Sequence, residues 1–282
     1  MNEYYFLFAL ALVYLIFASI QDLKKREVAN WLSFSLIAFA LAYRIVYSSA
    51  TGNWMFILYG LAGFALCFVI ANAFYYSKVF AGGDAKLLMG IGAILPYVGW
   101  TDVLFKVLVF VFVLFAVGAV YSLVYSVYIV SQNMKKFVIK FKFYWKKLYI
   151  LLFVSIIFFI LFDLVFKSFQ FAIYFGLFAL FVAFLFIYLK ALDECMIVKV
   201  SAGKLTEGDW ILSDIKVGNR IIRKTVHGLS WKDIKLLRQY GKSIDVKQGV
   251  PFVPAFLIAF AIMLFFLEVL KFDLVAFLLS LF

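Results

Sequence analysis

Apolar runs of eighteen residues or more recur along this chain, and that pattern leaves few folds open. The hydrocarbon core of a bilayer is about 30 Å thick and takes about 20 apolar residues as a helix. A spanning β-barrel would show short alternating segments instead, and these runs do not alternate. With 67% of its 282 residues hydrophobic and a mean hydropathy of +1.06, the chain is more apolar than a soluble domain of this size. Eight spans fit, at 4–20, 32–48, 54–76, 86–100, 103–131, 148–166, 171–191 and 252–270. The predicted class is an all-α polytopic membrane protein with about eight transmembrane helices and a small cytoplasmic α+β insert. The fifth run is long enough to tilt or to protrude from the membrane.

Lysine and arginine set the expected orientation. The first lysine, Lys24, follows the first apolar run, the reverse of a secretory signal's basic start, so Met1-Asn2-Glu3 is expected outside and the first helix retained. With that start, 23 of the 27 Lys and Arg residues fall in inner segments, and only Arg44, Lys106, Lys167 and Lys271 fall elsewhere. Basic segments stay in the cytoplasm, so eight crossings put both termini outside the plasma membrane. The net charge of +12 is then accounted for by inner loops facing an anionic leaflet, and nucleic acid is not needed as a partner.

Four regions follow. Residues 1–131 form the membrane core, and 132–192 a basic cytoplasmic loop with two further spans. Residues 193–250 form the insert, and 251–282 the last span and tail. Within the insert, Met196 to Val200 alternates like a strand, and 215–221 reads as a hairpin about Gly218-Asn219. Ser230-Trp231-Lys232-Asp233 looks like a capping box, with Leu229 and Ile234 placed as a staple and Gly241 at the helix's far end. Cys67 and Cys195 form no CxxC pair and read as packing residues.

The chemistry is narrowed by elimination. The single histidine, His227, lies in the insert, which rules out an HExxH zinc site and makes a Ser-His dyad in the membrane implausible. There is no phosphate-binding or dinucleotide fingerprint. What remains is a pair of acids at the inner ends of spans: Asp22 in Ser19-Ile20-Gln21-Asp22 and Asp84 in Ala81-Gly82-Gly83-Asp84. Charges beside hydrocarbon are costly and mark functional candidates. Two carboxylates sharing a site do not both ionise easily, so one holds a proton while the other is a base. Gly82-Gly83 would permit an irregular backbone and close approach by a substrate strand. The bland alternatives are that Asp84 caps the fourth span and that Asp22 is a solvated acid beside Lys24 and Lys25.

The stretch Asp22-Leu23-Lys24-Lys25-Arg26-Glu27-Val28-Ala29-Asn30 resembles the first aspartate motif of type IV prepilin peptidases, an Asp followed by Arg, an aliphatic residue and Asn. Ala81-Gly82-Gly83-Asp84-Ala85-Lys86 resembles their GxGD motif with its trailing Lys, although the first Gly is Ala81 here. The resemblance covers about the first 100 residues. A weaker likeness to archaeal members continues through Leu205-Thr206-Glu207-Gly208-Asp209-Trp210 and Gly249-Val250-Pro251-Phe252-Val253-Pro254-Ala255-Phe256. It implies a membrane aspartyl endopeptidase that cuts pilin-like or preflagellin-like precursors on the cytoplasmic side, with Asp22 and Asp84 catalytic. Arg26, Asn30, Gly82, Gly83 and Lys86 would support the site.

The implied partners are precursors with class III-type signal peptides, a short basic leader before a hydrophobic helix. No metal or organic cofactor is implied, and the lack of CxxC pairs resembles the archaeal branch, without methyltransferase activity. Pro251 and Pro254 have two readings, as the start of the last span or as candidate substrate contacts like the Pro-containing motif of presenilin-like proteases. The rival functions are a presenilin-like intramembrane protease, a proton- or cation-coupled transporter using both acids, and a non-catalytic assembly subunit.

Overall fold

The structure, a computed structural model, describes residues 2–269 apart from 147, 168, 218–219, 226–227 and 242. A 3-10 turn leads into α1 (Tyr5–Lys25), followed by α2 (Asn30–Thr51), α3 (Trp54–Tyr76), α4 (Gly82–Ile94), α5 (Trp100–Gln132), α6 (Met134–Trp145), α7 (Leu148–Phe166) and α8 (Phe169–Cys195). The insert adds β1 (Ile197–Ser201), β2 (Trp210–Ile211), β3 (Ile215–Val217), β4 (Arg220–Ile222), α9 (Trp231–Tyr240) and β5 (Ser243–Lys247). The last described helix is α10 (Val253–Leu264), prolonged by a π-helical turn over Phe265–Val269. Residues up to Leu123 and those from Val250 onward form one compact unit, and Val124–Gly249 form another.

Among the described residues, five helices (α1, α2, α3, α5 and α8) are long and apolar enough to cross a bilayer. The pair α6 and α7, bent by 52°, makes a sixth if taken as one span. The chain is thus a multi-pass helical membrane protein, and the count of eight is not confirmed among the described residues. The fourth run, 86–100, is helical only to Ile94. At 13 residues α4 is about 20 Å long, against a hydrocarbon core of about 30 Å. It is also buried on most of its surface, with Leu87, Leu88, Ile91 and Ile94 fully enclosed.

That burial defines the first unit's core. The backbones of α3 and α4 approach so closely that a Cβ on Gly63 would meet the Gly92 carbonyl and the Tyr97 ring. One on Gly92 would meet the Gly63 carbonyl and Cys67. Small residues at such crossings let helices pack by van der Waals contact where no hydrophobic drive separates lipid from protein. Cys67 is accordingly a buried packing residue.

The far end of α4 is closed by Arg44, a charge within the apolar helix α2. Its side chain is fully buried, and Nε donates to the Ala93 carbonyl at 2.6 Å. Nη1 donates to Phe56 at 2.6 Å and Nη2 to Leu95 at 2.8 Å. The last carbonyls of a helix lack intrahelical partners, and a buried guanidinium that satisfies several at once is itself satisfied. Beyond α4, Asp102 accepts from the Val98 N–H at 2.8 Å and pairs with the buried Lys106, which also donates to the Pro96 carbonyl.

In the second unit the basic stretch after α5 is helical. Phe137, Phe141 and Trp145, one turn apart on α6, pack edge-on against Tyr188 and Phe184 of α8. The insert follows its sequence signals closely. A three-stranded antiparallel sheet of order β1-β5-β2 pairs Ile197 with Lys247 and Trp210 with Lys247, and β3 pairs with β4. The turn at 218–219 lies outside the described residues, as does His227. Ser230 caps α9 through Asp233, Gly241 ends it at φ 69°, and Leu229 and Ile234 are buried in the same small core.

Candidate active site

Asp22 lies in the last turn of α1. The chain then turns sharply: Arg26 adopts φ 56° and its N–H donates to the Asp22 carbonyl at 2.7 Å, which ends the helix. Gln21 Oε1 accepts from the Ala29 N–H at 3.1 Å and closes the short connection to Asn30, the first residue of α2. Asp84 is the third residue of α4. Its Oδ2 accepts from the N–H of Ala81, the residue before the helix, at 3.2 Å. The capping reading of Asp84 is therefore correct in part, since one of its oxygens satisfies an otherwise unpaired donor at the helix start.

The fold brings the two motifs against each other. Lys86 Nζ donates to Asn30 Oδ1 at 2.5 Å and lies over the Phe34 ring. Gly83 faces Val28, where an added Cβ would stand 3.3 Å from the Val28 Cβ. Asp22 and Asp84, 7% and 9% exposed, are close enough for the charge of Asp22 to act on Asp84, and Arg26 acts on Asp22. Of the residues singled out from sequence, Asp22, Arg26, Asn30, Gly83, Asp84 and Lys86 thus belong to one cluster.

Gly82 and Gly83 depart from expectation. They open α4 with helical backbone, and neither has positive φ. The reason is local: Ala81 takes the extended conformation at the boundary (φ −73°, ψ 164°), and Asp84 caps from inside, so no irregular turn is required. Gly83 instead provides room for Val28. Pro251 and Pro254 are both buried, with Pro254 in the first turn of α10. That placement favours the helix-start reading over direct substrate contact.

A donor absent from the sequence reading completes the cluster. The Val253 N–H, at the start of α10, donates to Asp22 Oδ2 at 2.9 Å. Phe252 and Phe256 pack on Phe80, each with ring centroids 5.8 Å away, and Phe80 directly precedes Ala81. A backbone N–H has no side-chain signature. Arg44 did carry a signal, as a lone cation inside an apolar run. Among the described residues, no group of three or more His, Cys, Asp and Glu side chains gathers as a metal site needs.

Fold and site together define a polytopic membrane protein with two buried carboxylates from different helices, within electrostatic reach of each other. Residues 9–123, which include both acids and both motifs, match the type IV leader peptidase family. The preflagellin peptidase of Methanococcus voltae is 37% identical over 89 residues, 32% of this chain and 38% of that protein. Those of Methanocaldococcus jannaschii and Methanococcus maripaludis are 34% identical over 89 residues and 32% over 82. The aligned part spans 38%, 38% and 35% of the length of these three relatives. The resemblance drawn from the two aspartate motifs therefore stands for the part of the chain that carries them.

Proposed function

We propose that this protein is a membrane aspartyl endopeptidase that removes the short basic leader from prepilin-like or preflagellin-like precursors at the cytoplasmic membrane face. The observation that carries the reading is that the motifs of Asp22 and Asp84, acids 62 residues apart in sequence, pack against each other through Lys86–Asn30 and Gly83–Val28 inside the segment that matches leader peptidases. One carboxylate takes a proton from a water as its oxygen adds to the scissile carbonyl carbon, while the other, protonated, gives its hydrogen to the carbonyl oxygen. On collapse the C–N bond breaks. The first acid passes its proton to the leaving amine, and the second recovers one from the diol, so both return to their starting states. The pair titrates as a unit.

The precursors would carry class III-type signal peptides, consistent with the relatives named preflagellin peptidases. The basic inner segments suit an anionic leaflet. The test is cleavage of a precursor by the membrane-inserted protein carrying Asp22→Asn or Asp84→Asn. Each is expected to lose at least about 10³-fold in turnover, the scale for removing a group that acts in the chemical step. Near wild-type turnover in either variant would remove the dyad.

A further inference from the structure

Asp22 occupies an adverse place in its own helix. The last turn of α1 presents unpaired carbonyls, and the helix dipole puts partial negative charge there. A carboxylate at that end, 7% exposed, needs donors from another element. One donor is 231 residues away in sequence, where the Val253 N–H meets Asp22 Oδ2 at 2.9 Å, and the neighbouring Phe252 N–H acts on the same carboxylate.

The start of α10 has the complementary need. Its first N–H groups have no intrahelical partner, and the residue before the helix, Phe252, has no side-chain oxygen to cap them. Asp22 fills that role from outside. The seat is stiff: Pro254 fixes the backbone of the first turn, the Phe252 ring fits where Gly118 of α5 leaves room, and Phe252 and Phe256 bear on Phe80. Phe80 adjoins Ala81, the donor to Asp84. One helix start thus touches the first acid directly and backs the turn that carries the second.

We propose that the Val253 backbone N–H is a positioning donor for peptide hydrolysis, holding the Asp22 carboxylate in its working orientation. This makes α10, which lies outside the matched segment 9–123, part of the active site. The inference rests on the proteolytic reading above. A chain lacking α10 would keep both aspartate motifs, with Asp22 no longer held at Oδ2 by this bond.

The test replaces the Val253 amide by an ester in the full-length, membrane-inserted protein, by incorporating the hydroxy-acid analogue of valine. The N–H is lost and the Phe252 carbonyl becomes a weaker, ester acceptor for the Ala255 N–H, a bond that the control below removes as well. The other groups acting on Asp22, the Phe252 N–H and the Arg26 charge from the end of α1, are unchanged. A hydrogen bond to a charged group corresponds to a factor of about 10–100, so kcat should fall by about that much with KM within about twofold. Carbodiimide, which reacts with protonated carboxyls, should label Asp22 about tenfold faster, read by mass spectrometry. The matched control is an ester at Ala255, whose N–H donates to the Phe252 carbonyl in the same turn without meeting Asp22. It should leave both readouts unchanged.

If the Val253 ester matches the Ala255 ester in either readout, the inference is overturned. If the unmodified protein cleaves no precursor, the proteolytic reading fails by itself, and the labelling alone decides whether α10 holds Asp22. A protein that cleaves normally with the Val253 ester in place would sink the inference and leave the peptidase standing.

Discussion

Arg44→Met should be among the most damaging single changes outside the aspartates, and the structure gives the scale. Arg44 supplies short hydrogen bonds to the Ala93 and Leu95 carbonyls at the end of α4, and a third to Phe56 of α3. Methionine fills a similar volume and leaves the α4 carbonyls buried without a donor. Each unsatisfied buried acceptor costs about 1–3 kcal/mol, giving about 2–6 kcal/mol for two. The Phe56 carbonyl also serves its own helix and loses less. Removing the need to bury a cation offsets part of this, while the packing of the guanidinium on the Phe56 ring, 4.6 Å from its centroid, is lost as well. A net loss of about 3–5 kcal/mol corresponds to a fall in Tm of about 6–20 °C for a chain of this order of size. Arg44→Lys should recover less than half, because an ammonium lacks the planar fork that reaches two helices at once. Gly60→Ala should act in the same direction, since its Cβ would run into the Arg44 side chain. The measurement is thermal unfolding in detergent, with hydrogen exchange at residues 91–95 as the local readout. A Tm for Arg44→Met within about 1 °C of an exposed control such as Arg220→Met would refute the clamp, since even 1 kcal/mol should exceed that.

Gly83→Val should lower turnover at least about tenfold while the helices stay folded, because its side chain would press on Val28 and displace the start of α4 that carries Asp84; circular dichroism and precursor cleavage check it. Asp102→Asn should keep catalysis but lower stability by about 1–3 kcal/mol, since the buried Lys106 loses its counter-charge; parallel unfolding and activity measurements decide. Single cysteines in a cysteine-free background, labelled with an impermeant maleimide from each side, should place residues 21–31, 77–86, 132–147 and 193–250 inside and both termini outside. Cytoplasmic labelling of the C-terminus would require an odd number of crossings.

The fold class was legible because a bilayer demands long apolar runs, and the helices at 5–25, 30–51, 54–76, 100–132 and 169–195 answer that demand. The run at 86–100 was not separable by hydropathy from a lipid-facing span. Leu87, Leu88, Ile91 and Ile94 are as apolar as lipid-facing residues, yet they face protein, and hydropathy reads the same for both environments. The insert was legible for a different reason. Ser230, Asp233 and Gly241 act through local capping geometry, which needs no knowledge of distant partners.

At the site, the two acids and the motif residues around them could be named from sequence, but not what they do to each other. Asn30 and Lys86 belong to different motifs and form one contact; Val28 and Gly83 form another beside it. The first ties the start of α2 to the N-terminal half of α4, and the second ties in the connection from α1. Asp22 lies in the last turn of the helix before that connection, so both contacts bear on its separation from Asp84. The motifs therefore make sense as two halves of one joint. Under the proposed function the flanking residues would set geometry and the acids would supply the proton chemistry, while α10 gives Asp22 a backbone donor. That division explains why a side-chain pattern revealed the acids while the third contributor, a backbone N–H, left no trace in it.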